Sequence, residues 1–167
     1  FGSLVRHLAQ ALGARYAFVS ALSEDRARFR TLAVWGPAGW LDNFEVPVAG
    51  TPCEAVLDGE MAHHPERLQQ LFPEDVGLAT WNAESYCGVP VLSQSGVPVG
   101  HLAIFDDKPM RDPRGVSIMR IFAARARAEV ERLRAEQALR ESEQRLSSIL
   151  ASAMDAIVTF DSDGRVE

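Results

Sequence analysis

Residues 84–107 read ESYCGVPVLSQSGVPVGHLAIFDD. Apolar and β-branched residues fill both halves, and Ser93–Gly96 between them is a polar, Ser- and Gly-rich four-residue break. Two such runs around such a break are a long antiparallel hairpin. Pro90 and Pro98 stand at matching distances from the turn. Proline cannot donate to a strand ladder, so both are expected to face outward or to sit beside bulges.

Upstream, Leu4, Val5, Leu8, Ala11 and Leu12 recur at helical spacing, and Gly13 follows as a stop. RYAFVSAL (15–22) and RFRTLAVW (28–35), separated by SEDR and ended by GPAG, form a second hairpin; NFEVPV (43–48) is a short extended piece. TPCEAVLDG (51–59) has the makings of a capped helix: Thr51 as N-cap, Pro52 at the first helical position, Glu54 completing a capping box and Gly59 ending it. EMAHH predicts a short strand, PERLQQLF (65–72) a short helix, and PEDVGLATWN an irregular or loosely helical stretch.

Downstream the pattern changes. Asp112 can cap a helix that Pro113 begins, and neither Gly nor Pro occurs between Val116 and Asp163. Met119, Phe122, Ala126, Val130 and Leu133 mark one apolar stripe; Ala135, Leu139, Ser142, Leu146, Ile149 and Ala153 mark another, spaced four-three-four-three-four and out of phase with the first. Glu136 to Arg140 and Glu141 to Arg145 are charge pairs one turn apart. Forty helical residues would span roughly 60 Å, more than a small domain buries. The second stripe is therefore expected to pair with another chain as a parallel two-stranded coil; the alternative is an amphipathic helix lying on its own sheet.

Composition bounds the rest. The 167 residues are 47% hydrophobic and 24% charged, enough for a core. The net charge of -6 disfavours non-specific nucleic-acid binding. It is unevenly spread: residues 113–152 hold eight Arg and five Glu, leaving -9 elsewhere. Two cysteines outside any metal-like spacing predict neither a disulfide framework nor a metal site, and a reducing cytoplasm as the setting. No run is apolar enough to span a bilayer, and residues 1–12 are amphipathic, unlike a signal peptide.

SYCGVPVLSQSGVPVGHLAIFDDKP resembles the closing hairpin of a GAF domain, in which a "gvPv" strand, a polar turn, a "vGhLai" strand and an acidic exit precede the final helix. TPCEAVLDGE is similar to that family's mid-domain helix. The resemblance covers about 1–135 and implies an α/β (α+β) fold: an antiparallel sheet with helices on both faces, followed by the long C-terminal helix. ALRESEQRLSSILASAMDAIVTFDSDGRV resembles the entry to a PAS domain. The expected organisation is thus a GAF sensor domain (1–135), a helical coiled-coil linker (136–153) and the start of a PAS domain (154–167) inside which the sequence stops.

Together these resemblances imply the sensory part of a bacterial signal-transduction protein, such as a histidine kinase or a cyclic-di-nucleotide enzyme. The head would bind a small organic effector or a partner domain. A homodimeric helix through Met119, Phe122, Ala126, Leu139, Leu146 and Ile149 would relay the state to PAS and output domains of the same chain. No catalytic residue is assigned. One GAF lineage reduces free methionine sulfoxide with a Cys placed like Cys53, but its attacking Cys is missing from the segment matching AHHPERLQ, so Cys87 would have to substitute. A ligandless dimerisation module is the other alternative.

The pocket candidates are Cys53, His63, Trp81, Tyr86, His101 and Trp35. Cys53 is either a redox or ligand-contact thiol in a first helical turn or a small buried hydrophobe. Cys87, mid-strand, reads as core. His63 and His64 are adjacent and point to opposite sides of a strand, so they do not grip one metal. His101 shares a strand face with Val99, Ala103 and Phe105, as a pocket hydrogen-bonder or a satisfied sheet histidine. Trp35, Trp40 and Trp81 either wall a ligand or pack as core and lid. PCEA and YCGV do not match bilin-attachment surroundings, a lone His is a weak haem signal, and the cyclic-nucleotide signature is not found; bilin and haem are disfavoured. FDSDGR lacks the twelve-residue EF-hand spacing for calcium.

Overall fold

The computed structural model describes residues 1–111 and 114–154, with side chains described for 1–111 and 115–151. The Asp112 cap, the Pro113 start, the side chain of Ala153 and the PAS-like residues 155–167 lie outside the described residues. By internal contacts the chain divides into two units, residues 1–131 and 132–167.

In the first unit, α1 (Gly2–Leu12) ends as its sequence predicts. Gly13 takes the left-handed conformation at φ 63°, and the Ala14 and Gly13 amides close back on the Ala9 and Gln10 carbonyls at 3.0 and 3.4 Å. The strands are β1 (Tyr16–Leu22), β2 (Arg28–Gly36), β3 (Gly39–Leu41), β4 (Glu45–Pro47), β5 (Ala62–His64), β6 (Ser85–Leu92) and β7 (Pro98–Asp106). They form one seven-stranded sheet in the order β3-β2-β1-β7-β6-β5, with β4 paired to β2. All described pairings are antiparallel. GPAG (36–39) ends β2 and also turns it back: Gly39, at φ 111°, opens β3, which pairs with β2.

The long hairpin is in the predicted place. Ser93 N–H donates to Val97 O at 2.8 Å, Ser93 Oγ accepts the Val97 N–H, and Gly96 sits at φ 80°. The bulge expected beside a proline lies between Val91 and Leu92, opposite Pro98. It shifts parity, so Val99 packs on the opposite side from His101, not beside it as strict alternation predicts. A second irregularity, at Val19/Ser20, leaves Leu32 as the extra residue of β2. Gly100 meets this region closely. A Cβ there would stand 2.0 Å from the Ser20 carbonyl oxygen.

Helices cover both faces of the sheet. On one, α1 and the first turns of α4 (Arg114–Met154) bury Leu4, Val5, Leu8, Met119, Ala123, Ala126 and Val130 against Val19, Leu102 and Ile104. Full burial of each larger aliphatic side chain contributes about 1.5–3 kcal/mol. Phe122 packs at the edge of this core, only partly buried. The other face is covered by a 3₁₀ helix (Glu54–Asp58), α2 (Leu68–Leu71) and α3 (Val76–Thr80).

These covering elements correct two local expectations. Residues 51–59 are not a capped α-helix. The Thr51 hydroxyl donates to Val48 O at 2.7 Å, Glu54 reaches back to the Gly50 N–H at 3.1 Å, and only the Gly59 stop (φ 79°) holds. The helix expected over 65–72 shrinks to Leu68–Leu71, because Arg67 turns left-handed at φ 59° and the amides of Arg67 and Leu68 are taken by Glu84.

In the second unit, residues 132–151 are helical, and from 137 onward every described side chain is exposed. Leu139, Leu146, Ile149 and Leu150 are 60%, 58%, 57% and 64% exposed. Glu136 is held by Arg132 at 2.6 Å, one turn before it, in place of the predicted Arg140.

Candidate functional site

The sheet face under the 3₁₀ helix, α2 and α3 carries the polar groups that the core does not explain. His101 lies on β7, between β1 and β6, directly opposite Ser20. Its Nδ1 and Ser20 Oγ are 2.6 Å apart, while its Nε2 is buried without a partner. Phe18 stands edge-on to its ring at 5.2 Å and Phe29 lies tilted at 4.1 Å. Such surroundings cannot solvate an imidazolium, and burial pushes the His101 pKa down to about 3.

Tyr86, on β6, is also fully buried, and its hydroxyl has no hydrogen-bond partner. The ring leans along its own strand over Gly88, where a Cβ would come within 2.0 Å of the hydroxyl oxygen. Glycine at 88 is what lets the phenol lie there. Burial drives the phenol pKa well up.

Cys53 enters this face from the turn before the 3₁₀ helix, with its N–H on Thr51 Oγ1 at 3.3 Å. Its thiol neighbours the Tyr86 hydroxyl without reaching hydrogen-bond geometry. Burial pushes that thiol up to about 12, so it stays protonated. Trp81 closes the end of the face after α3. It stacks on Tyr16 at 4.7 Å and meets Phe18, Phe44 and Phe105 edge-on.

Of the six pocket candidates, Cys53, Trp81, Tyr86 and His101 thus share one face. Trp35 and His63 do not. Trp35 packs with the α1 side, edge-on to Trp40 at 4.9 Å, because the extra residue Leu32 reverses the parity of β2. His63 Nε2 donates to Met110 O at 3.0 Å, and it is His64 that turns toward Phe72 and Tyr86. Phe18, Phe29, Phe44, Phe105 and His64 were not singled out as wall residues. Phe105 shares a strand face with His101 in the sequence and could have been found; Phe44 lies outside any strand and carried no signal.

The exit of the sheet toward α4 is tied to the start of the covering segment. Met110 N–H donates to Pro65 O at 2.8 Å, Arg111 pairs with Glu66, and Ser85 Oγ donates to Lys108 O at 2.6 Å. Beside this connection, between the α1–β1 turn and residues 106–111, is an open cleft of about 480 Å³. Its charges largely neutralise one another: Arg15 pairs with Asp107, and the Asp106 carboxylate accepts the Arg15 and Lys108 amides. Among the described residues no cluster of three or more His, Cys, Asp or Glu could hold a metal ion. No described helix is long and apolar enough to cross a membrane.

The architecture is that of GAF domains. The GAF domain of a phosphoenolpyruvate-protein phosphotransferase from Coxiella burnetii superposes with a TM-score of 0.68 at 16% identity, covering 82% of this chain and 83% of that one. The blue-light-absorbing form of the Thermosynechococcus elongatus PixJ GAF domain gives 0.65 at 16% identity, over 87% and 90%. The type II free methionine-R-sulfoxide reductase from Thermoplasma acidophilum gives 0.61 at 17% identity, over 78% and 89%. No protein-family model matches the sequence, and no curated protein matches it. One fold thus carries a phosphotransferase module, a light absorber and an enzyme, so function has to be argued from the site.

Proposed function

We propose that this chain is the sensory part of a cytoplasmic bacterial signal-transduction protein. Its GAF-like head reads a small molecule on the face of Cys53, Tyr86 and His101. A homodimeric α4 passes the result to a PAS domain and an output module of histidine-kinase or cyclic-di-nucleotide type. The observation that carries this reading is the second stripe of α4. Leu139, Leu146 and Ile149, spaced as a coiled-coil seam, are left 57–60% exposed. Apolar residues on a heptad spacing are expected to be buried against a second helix. The ties from Pro65 and Glu66 to Met110 and Arg111 supply a mechanical link: a ligand that moves the covering segment pulls on the residues leading into α4.

The likeness to a sulfoxide reductase favours a thiol enzyme less than it first suggests. Cys53 and Cys87 belong to cores on opposite faces of the sheet, and burial pushes their thiols up to about 12 and about 11. Neither is a ready nucleophile, and the sheet separates them. Turnover of free methionine sulfoxide with thioredoxin is expected at background.

Native mass spectrometry of the 167-residue chain tests the proposal. A dimer carrying a bound small mass is expected. A ligand-free monomer at every concentration would overturn it.

A further inference from the structure

The register across β5, β6 and β7 sets Ala62, Gly88 and Ala103 side by side, three small residues in one row of the sheet. All three are buried, and Ala62 and Ala103 belong to the core under the 3₁₀ helix, α2 and α3. The Tyr86 hydroxyl lies over the Gly88 position of this row. His101 stands in the next row of the same face, opposite Pro90 and about 7 Å along the strand. Tyr86 Oη and His101 Nε2 are the buried side-chain polar atoms without a partner among the described residues. A buried polar atom without a partner is costly, and two on one face over a small-residue row suit a molecule that completes both.

The surroundings define the chemistry of that molecule. The rings of Phe18 and Phe29 lie against His101, and those of Phe105 and His64 against Tyr86. Among the described residues no Asp, Glu, Lys or Arg is buried. Asp75, whose charge reaches Cys53, is only partly buried and is engaged in capping α3 through the Gly77 N–H. A charged ligand would enter without a counter-charge. We propose that Tyr86 Oη, held over Gly88, and His101 Nε2 hydrogen-bond a small, uncharged, ring-bearing effector seated on this face beside Ala62 and Ala103. This rests on the sensor reading and specifies its ligand class.

The test uses the full 167-residue chain labelled with ¹⁵N-histidine and three probes: phenol, benzene and benzoate. His101 is identified as the imidazole whose signals are missing from His101→Asn, and its Nε2 resonance reports occupancy. Phenol is expected to shift it saturably. Benzene, without a hydrogen-bonding group, and benzoate, with a charge, are each expected to bind about tenfold or more weakly. Tyr86→Phe keeps the ring, and unfolding curves check its fold; it is expected to weaken phenol about tenfold. Benzoate binding as well as phenol overturns the neutral-ligand inference but leaves a sensing site. Benzene matching phenol, or phenol indifferent to Tyr86→Phe, overturns the polar contacts. If none of the probes moves the His101 signal, both the inference and the small-molecule reading of this face fall.

Discussion

Acidification should destabilise this domain through His101, by an amount that can be worked out. In the unfolded chain an imidazole titrates near about 6.5. In the fold, burial among Phe18 and Phe29 holds His101 down to about 3. Between those values the unfolded chain binds a proton that the native chain refuses. Stability is therefore complete above the unfolded value and is lost as pH falls below it. From about pH 7 to about pH 5.5, one such group removes about 1 kcal/mol. His64, also lowered by burial, acts in the same direction. Asp75 and Asp106, raised by burial, act in the opposite direction but closer to the carboxylate range, which the window avoids. Urea unfolding across that window measures the slope in the parent chain and in His101→Asn, whose amide can keep the Ser20 hydrogen bond. The variant loses absolute stability to the volume it vacates. Its pH slope, though, should be shallower by about 1 kcal/mol over the window. Equal slopes in the two proteins would refute a neutral, buried His101.

Three further outcomes are expected. Gly100→Ala drives a Cβ into the Ser20 carbonyl and should cost about 3 kcal/mol or more, lowering Tm by about 6 °C or more in a thermal melt; an unchanged Tm would contradict the close approach of β1 and β7. Gly88→Ala meets the Tyr86 hydroxyl and should disturb the same face, read as a changed His101 imidazole resonance with the sheet retained by circular dichroism. Cys53 and Cys87 should resist a thiol reagent in the native protein at mildly alkaline pH and react only on unfolding; rapid native labelling would reopen the thiol-enzyme reading.

Much of the fold was legible because local signals and tertiary packing agree. Gly13, Gly59 and Gly96 take the left-handed backbone that their turns need, and the 93–96 break is the hairpin turn. The failures have particular physical causes. Thr51, Pro52 and Glu54 have capping-box composition, but Val48 O takes the Thr51 hydroxyl and the segment tightens into a 3₁₀ turn. Val99, placed beside His101 by strict alternation, and Trp35, taken as a wall aromatic from its place at a strand end, both lie on the α1 side, because the irregularities beside Pro98 and at Leu32 reverse the parity of their strands. A three-residue strand does not reveal its own parity, so His63 was placed on the face that His64 takes. The exposure of the second α4 stripe was readable from length alone.

The claim that the exposed seam of α4 meets a second copy is tested most directly by oxidative cross-linking of Leu146→Cys, with Gln144→Cys on the far side of the same helix turn as control. Burying the exposed part of each Leu146 contributes about 1–2 kcal/mol per chain. Covalent dimers through position 146, with little product from position 144, are the predicted result. Equal yields from both positions, or a chain that remains monomeric, would contradict it.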